Sequence, residues 1–408
     1  MNNLPNIPPT DIPPIACPLT HVPEITPCDS EELMPLILRL QENVVNQPKE
    51  TFPRGTLVED GRLDLCKQQV GASGARLITQ ALENNTIVTS LMLGTDGLGD
   101  SGAQSIAELI NKNNTLTTIY LGCNVIRQAG VRALTEALKQ NQQVKGLWLK
   151  RNPIGIEGAT YIADMLRINQ SIRTLDLVNT NIGLAGLRLI VRSLIEENRT
   201  VERLYLGGNQ LGETAAQELA TLLQENDHII GLFLNVNHLS DQGAQQLAKG
   251  LAQNSTLQEL GLASNHIGID GVTALSEVIM KHPNLRGLDL GYSPSTKVLG
   301  EHANHLGDQG TVIISQLLKQ NKTLITLNLT KTAITTTGVH TLLEGLENNW
   351  TLCKLILNCR LPLELKNHLK QLLARNQARI PETVMNPPSD IKAIKSVYRT
   401  KPRQQELE

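Results

Sequence analysis

The sequence predicts an α/β solenoid, in which each repeat of about 28 residues adds one strand to a parallel concave sheet and one helix to the outside. Three observations predict it: apolar triplets on a fixed period, glycines at one repeat position and asparagines at another. Leu63-Asp64-Leu65, Leu91-Met92-Leu93, Ile119-Tyr120-Leu121, Leu147-Trp148-Leu149 and Leu175-Asp176-Leu177 fall on the period without a slip. One extra residue moves the next triplet to Leu204-Tyr205-Leu206, followed by Leu232-Phe233-Leu234, Leu260-Gly261-Leu262 and Leu288-Asp289-Leu290. An eleven-residue insertion delays Leu327-Asn328-Leu329, and Leu355-Ile356-Leu357 closes the series.

The repeat from Leu91 to Thr115 shows how each unit works. Ser90 to Gly94 alternates like a short strand, with Leu91 and Leu93 inward and Ser90, Met92 and Gly94 outward. A helix is expected to start near Asp100-Ser101, both good N-caps. Ala103, Ile106, Ala107 and Ile110 form its buried stripe. Asn113 and Asn114 are expected to end it in the left-handed conformation. Gly74, Gly102, Gly130, Gly158, Gly186, Gly243, Gly271, Gly310 and Gly338 share one position, with Ala215 the departure. A side chain there is expected to collide with neighbouring backbone. Asn124, Asn152, Asn209, Asn237, Asn265 and Asn304 each follow a strand by three residues. Buried amides there can bond backbone groups of adjacent turns. Thr180, Thr332 and Arg360 interrupt that ladder.

The pattern Leu-x-Leu-x-x-Asn-x-Leu/Ile-Gly-x-x-Gly-Ala, followed by a full helix, resembles a leucine-rich repeat of the ribonuclease-inhibitor type. Leu206 to Gly212 and Asn265 to Val272 carry it clearly, and the resemblance covers roughly residues 57–377. It implies a leucine-rich-repeat horseshoe, with parallel strands inside and helices outside. Dimensions agree: strands about 4.8 Å apart and helices about 10 Å wide force the helical side to fan out.

The ends divide the chain further. Residues 1–28 hold eight prolines and read as an extended, disordered arm, with docking onto a proline-reading module as an alternative. Residues 29–56 read as a capping helix, opening at Asp29-Ser30-Glu31-Glu32 and running to about Asn46, plus a connector. Leu33, Leu36, Ile37 and Leu40 can cover the first repeat's core. Repeats fill 57–380. Residues 381–408 read as a basic flexible tail with Lys392, Lys395, Arg399, Lys401 and Arg403. Ile391, Ile394 and Val397 share one side of a short helix there, which is either solvated or a docking peptide for an acidic or membrane surface. The insertion at 291–303 maps to a rim loop, as a partner contact or a tolerated excursion.

With 37 basic and 39 acidic residues, the chain lacks the footprint of a general nucleic-acid binder. No secretory signal or membrane-spanning run is visible. Its six cysteines form no Cys-x-x-Cys pair and suit free thiols in a reducing, cytoplasmic setting, although Cys353 and Cys359 could approach each other. Asn-x-Ser/Thr sequons such as Asn113-Asn114-Thr115 and Asn198-Arg199-Thr200 follow the repeat and are expected to be unmodified.

The candidate site is the concave row of central strand residues: Asp64, Met92, Tyr120, Trp148, Asp176, Tyr205, Phe233, Gly261, Asp289, Asn328 and Ile356. Four of the nine aromatic residues of the chain sit among these eleven positions, where random placement gives about 0.24. Strands favour aromatics in any case, which weakens the excess without removing it. Met92, Tyr120, Trp148, Tyr205 and Phe233 form an apolar band, with Asp176 in its middle and Lys150, Thr174, Arg203 and Asn235 at its flanks. Exposed rings within a polar rim are usual anchors of protein interfaces. Mutual shielding on the inner sheet is the plainer reading.

His238, His266 and His305 each follow a ladder asparagine, so a rim metal site competes with simple repeat duplication. No phosphate-binding loop, no His-Glu-x-x-His and no other catalytic arrangement is found, and no cofactor is implied. The expectation is a non-catalytic interaction module, acting as scaffold, sensor or inhibitor, that binds a protein partner on its concave face. Two alternatives stay open. The GTPase-activating protein of Ran is similar in repeat type, which implies stimulation of a small GTPase, although this chain's tail is basic where that relative's is acidic. The other is a bacterial effector delivered to host cells.

Overall fold

The computed structural model describes residues 25–45, 48–381 and 389–398. Residues 1–24 of the expected proline-rich arm lie outside them, as do 382–388 and 399–408. One 13-stranded sheet runs in chain order from β1 (Lys49–Thr51) to β13 (Lys354–Ile356). From β3 (Arg62–Asp64) onward every neighbouring pair is parallel. The inward leucines of all eleven triplets and the apolar helix stripes make one continuous core.

The N-terminal cap is richer than a helix and a connector. Helix α1 (Ser30–Glu42) opens on a capping box between Asp29 and Glu32 and stops at Asn43, which is left-handed with φ 51°. Its Leu33, Leu36, Ile37 and Leu40 are buried against the first repeat. β1 and β2 (Thr56–Val58) then add two antiparallel strands to the sheet. They are only three residues each, and β1 is largely exposed, so no apolar alternation marks it.

The asparagine ladder is built as its spacing suggests. Asn152 Nδ2 donates to Leu121 O at 2.9 Å and Leu149 O at 2.8 Å, and its Oδ1 accepts the Asn124 and Ile126 N–H groups. At Thr180 the hydroxyl takes over, donating to Leu177 O at 2.7 Å. Asp96 occupies the same place one turn before Asn124. Its Oδ1 accepts from Gln68 N at 2.8 Å, while buried Oδ2 has no hydrogen-bond partner. Burial pushes the Asp96 carboxyl well above its ordinary value.

Three local expectations are corrected. Asn113 ends its helix in extended backbone (φ −93°, ψ 130°), not left-handed. Its side chain instead forms a second ladder: Nδ2 donates to Leu82 O, and Oδ1 accepts from Thr115 N and Leu116 N. Asn141, Asn169, Asn198, Asn226, Asn254, Asn321 and Asn349 repeat this arrangement. Asn113 and Asn198 are buried there, which leaves no room for a glycan on the folded chain.

The second correction concerns Asp100, which does not cap its own helix. Its Oδ1 accepts Arg127 N at 2.7 Å and Gly130 N at 3.0 Å, capping the helix of the next repeat. Asp241 and Asp308 do likewise. The last concerns the repeat glycines, which are hemmed mainly by side chains rather than backbone. A methyl on Gly130 would lie 2.8 Å from Ile126 and 2.9 Å from Ala103.

Candidate functional site

Strand register places Asp64, Met92, Tyr120, Trp148, Asp176, Tyr205, Phe233, Gly261, Asp289, Asn328 and Ile356 side by side in one concave row. None lies under the outer helices, because each alternates with two inward leucine-type residues. The rings lie flat because glycines floor them. A methyl on Gly94 would come 2.5 Å from the Tyr120 ring, one on Gly146 would clash with Trp148, and one on Gly231 would sit 2.9 Å from Phe233.

The row is not uniformly open, which corrects the expectation of one exposed band. Met92, Tyr120 and Trp148 are 0%, 5% and 1% exposed. They form a second apolar cluster with Cys66 and Ile394, separate from the main core. Ile394 comes from the C-terminal tail, so residues 389–398 are no solvated tail. A short helix, Ser389–Ala393, brings them onto the concave face. Ser90 Oγ donates to Ala393 O at 2.9 Å, and Arg62 Nη1 donates to Lys395 O. Asp64 accepts the Ser396 hydroxyl at 3.1 Å and the Val397 N–H at 2.6 Å. Tyr398 OH meets Thr56 Oγ1 at 2.6 Å, and burial pushes the Tyr398 phenol up. Of the three apolar tail residues only Ile394 is buried, while Val397 is 41% exposed.

Beyond Trp148 the row changes character. Asp176 is buried and accepts Val178 N at 2.9 Å, so it is an internal turn-builder. Tyr205 and Phe233 are half-buried and stack with centroids 4.2 Å apart. Arg203 lies 5.5 Å from the Phe233 centroid and pairs with Glu259. Burial works to lower the Arg203 pKa, and the Glu259 carboxylate outweighs it, so the guanidinium stays above its ordinary value. Asn235 Oδ1 accepts from Ala263 N at 2.9 Å, and Lys150 Nζ stands 5.3 Å from the Tyr120 centroid. Thr174 is buried at the flank of the row.

The 291–303 insertion folds over the rim beside Tyr205 and Phe233. Arg151 donates to Ser295 Oγ at 2.9 Å, and Thr296 donates to Ser264 Oγ at 2.7 Å. Leu299 joins Tyr205, Phe233, Asn235, Val178 and Val236 around an open apolar cavity. Glu301 straps the loop down through His238 (2.5 Å) and His266 (3.1 Å), whose rings stack at 5.7 Å. The third imidazole near them is that of His302, 6.1 Å from His266, rather than His305. Among the described residues no three His, Cys, Asp or Glu side chains converge as a metal ion requires. Cys353 and Cys359 are both free thiols. No helix of the described residues is long and apolar enough to cross a membrane.

The family comparison agrees with the architecture. Residues 112–134, 169–191, 197–220, 253–276 and 320–343 each match the family model described as Leucine Rich repeat. No curated protein matches. A solved structure described as Leiomodin-1 Actin-Binding Site 2 aligns at 17% identity over 56% of this chain and 94% of its own, with a TM-score of 0.29. The Caenorhabditis elegans tropomodulin C-terminal domain aligns at 12% identity over 49% and 98%, with a TM-score of 0.33. The chain is a leucine-rich-repeat protein.

Proposed function

We propose that this leucine-rich-repeat solenoid is a non-catalytic interaction module of the cytoplasm that captures a protein partner on its concave face. Leucine-rich repeats generally mediate protein–protein contact, and such horseshoes offer an extended concave surface. The observation that carries the reading is the Tyr205–Phe233 stack. Two half-buried rings sit beside an apolar cavity that Asn235 helps to line, with Arg203 against the Phe233 ring. Large rigid rings with a polar rim are the usual anchors of interfaces, because they bury much area at little entropic cost. The acidic groups of the row are committed elsewhere, Asp64 to the tail and Asp176 and Asp289 to their own turns, which favours binding over proton transfer.

The test is affinity capture from the native cell with wild type, Tyr205→Ala/Phe233→Ala, and a convex-face control, Arg192→Ala. The reading expects partner recovery to be lost in the double variant alone, with an unchanged circular dichroism spectrum. Equal recovery from all three contradicts it.

A further inference from the structure

The tail does more than cover apolar side chains. The groove over Asp64 to Trp148 reads it as a receptor reads a peptide. The Ile394 side chain is buried in a cluster with Cys66, Met92, Tyr120 and Trp148. One carboxylate, Asp64, takes both the Ser396 hydroxyl and the Val397 N–H. Ser90 and Arg62 donate to the backbone carbonyls of Ala393 and Lys395. Backbone hydrogen bonds combined with a side-chain pocket are how peptide-binding grooves obtain affinity and specificity together.

The occupancy is also partial. Ile394 of the tail joins Met92, Tyr120 and Trp148 in one buried cluster, and the same row continues in register to Tyr205 and Phe233, which among the described residues lie outside that cluster. A longer segment reaching both halves gains contacts that the tail does not make. The tail itself is tied by one buried apolar side chain and a few hydrogen bonds, against the entropy of ordering ten residues.

We propose that this groove is a peptide-recognition site held in a self-occupied state by residues 389–398. It fits a partner segment presenting an isoleucine-like side chain followed two residues later by a hydroxyl, and the tail is the autoinhibitory occupant. This deepens the concave-face reading above and rests on it. Binding in trans requires the tail to leave, so apparent affinity falls by the fraction of chains whose groove is empty.

The test uses a fluorescent synthetic peptide of residues 389–398 and anisotropy titration. A chain ending at Pro381 is expected to bind it saturably, and the full chain at least tenfold more weakly. Full-length Ile394→Asp, which keeps every residue but vacates the pocket, is expected to recover binding. In the chain ending at Pro381, Asp64→Ala is expected to weaken binding at least tenfold, and a peptide carrying Ile394→Asp is expected not to bind. Absence of saturable binding to both the shortened chain and full-length Ile394→Asp, each with wild-type circular dichroism, overturns the proposal. So does equal binding by the full and shortened chains. Tyr205 and Phe233 are intact throughout, so failure here leaves the partner-capture experiment to judge the broader reading separately.

Discussion

The two halves of the concave row are built alike and end up in different environments. Trp148 and Phe233 occupy the same repeat position, each lying over a glycine two residues before it. Trp148 is 1% exposed in a buried cluster that Ile394 of the tail joins, whereas Phe233 stays half-buried beside a cavity. The repeat sets where a ring sits. What covers it comes from outside the repeat: residues 389–398 over one half and the 291–303 loop at the rim of the other. A solenoid has no second layer on its hollow side, so appended segments decide which part of that surface remains available.

The largest contrast is expected from removing the rings. Trp148→Ala empties a sealed site and should cost about 3–5 kcal/mol. Phe233→Ala removes a ring that already meets solvent and should cost about 1–2 kcal/mol. Denaturant unfolding of both variants checks this, and equal losses break the distinction between covered and open halves.

The glycine floors provide a gentler version. Gly146→Ala drives a methyl into a ring that cannot lift, at about 1–3 kcal/mol. Gly231→Ala meets a half-buried ring that borders a cavity and can shift toward it, and should cost within about 0.5 kcal/mol. Matching melting temperatures would contradict the floor argument.

Asp96 sharpens the comparison beneath the covered half. Ladder amides donate to strand carbonyls, as Asn152 does, and an ionised carboxyl cannot. Burial raises the folded carboxyl's pKa, so the folded chain keeps this proton to higher pH than the unfolded chain, which releases it near pH 4. Stability from this group is complete below that pH and declines as pH rises toward the elevated folded value. Asp96→Asn should gain about 1–2 kcal/mol at pH 8 and almost nothing near pH 4. Urea melts at the two pH values check it, and a pH-independent gain would count against a protonated Asp96.

The smallest global effect is expected from Ser396→Glu, which sets a carboxylate against Asp64. Overall stability should change by less than about 1 kcal/mol, because the tail lies outside the repeat core. Protection of the Val397 amide in hydrogen exchange should nevertheless be lost. Retained protection would mean that Asp64 does not hold the segment.

Most of the repeat geometry was legible in sequence because it is periodic. The triplets place the strands, the row and its register, and the ladder asparagines declare themselves by spacing. Three features escaped for physical reasons. Asp100 reads locally as an N-cap, yet it accepts from N–H groups of the next repeat, a choice set by stacking. The strands Lys49–Thr51 and Thr56–Val58 carry no alternation long enough to detect. The destination of Ile394 lies about three hundred residues away, at Met92 and Tyr120, and no local pattern encodes a contact of that range. Its spacing with Ile391 and Val397 marked an amphipathic segment without naming the surface it meets.

The most direct test of the covered half uses the chain's two tryptophans, Trp148 sealed at 1% exposure and Trp350 open at 44%. In a Trp350→Phe background, Trp148 becomes the single emitter. Its fluorescence should resist iodide in the full chain and become quenchable, with a red-shifted maximum, when the chain ends at Pro381. Equal iodide quenching of the full and shortened chains would show that the tail does not seal the groove.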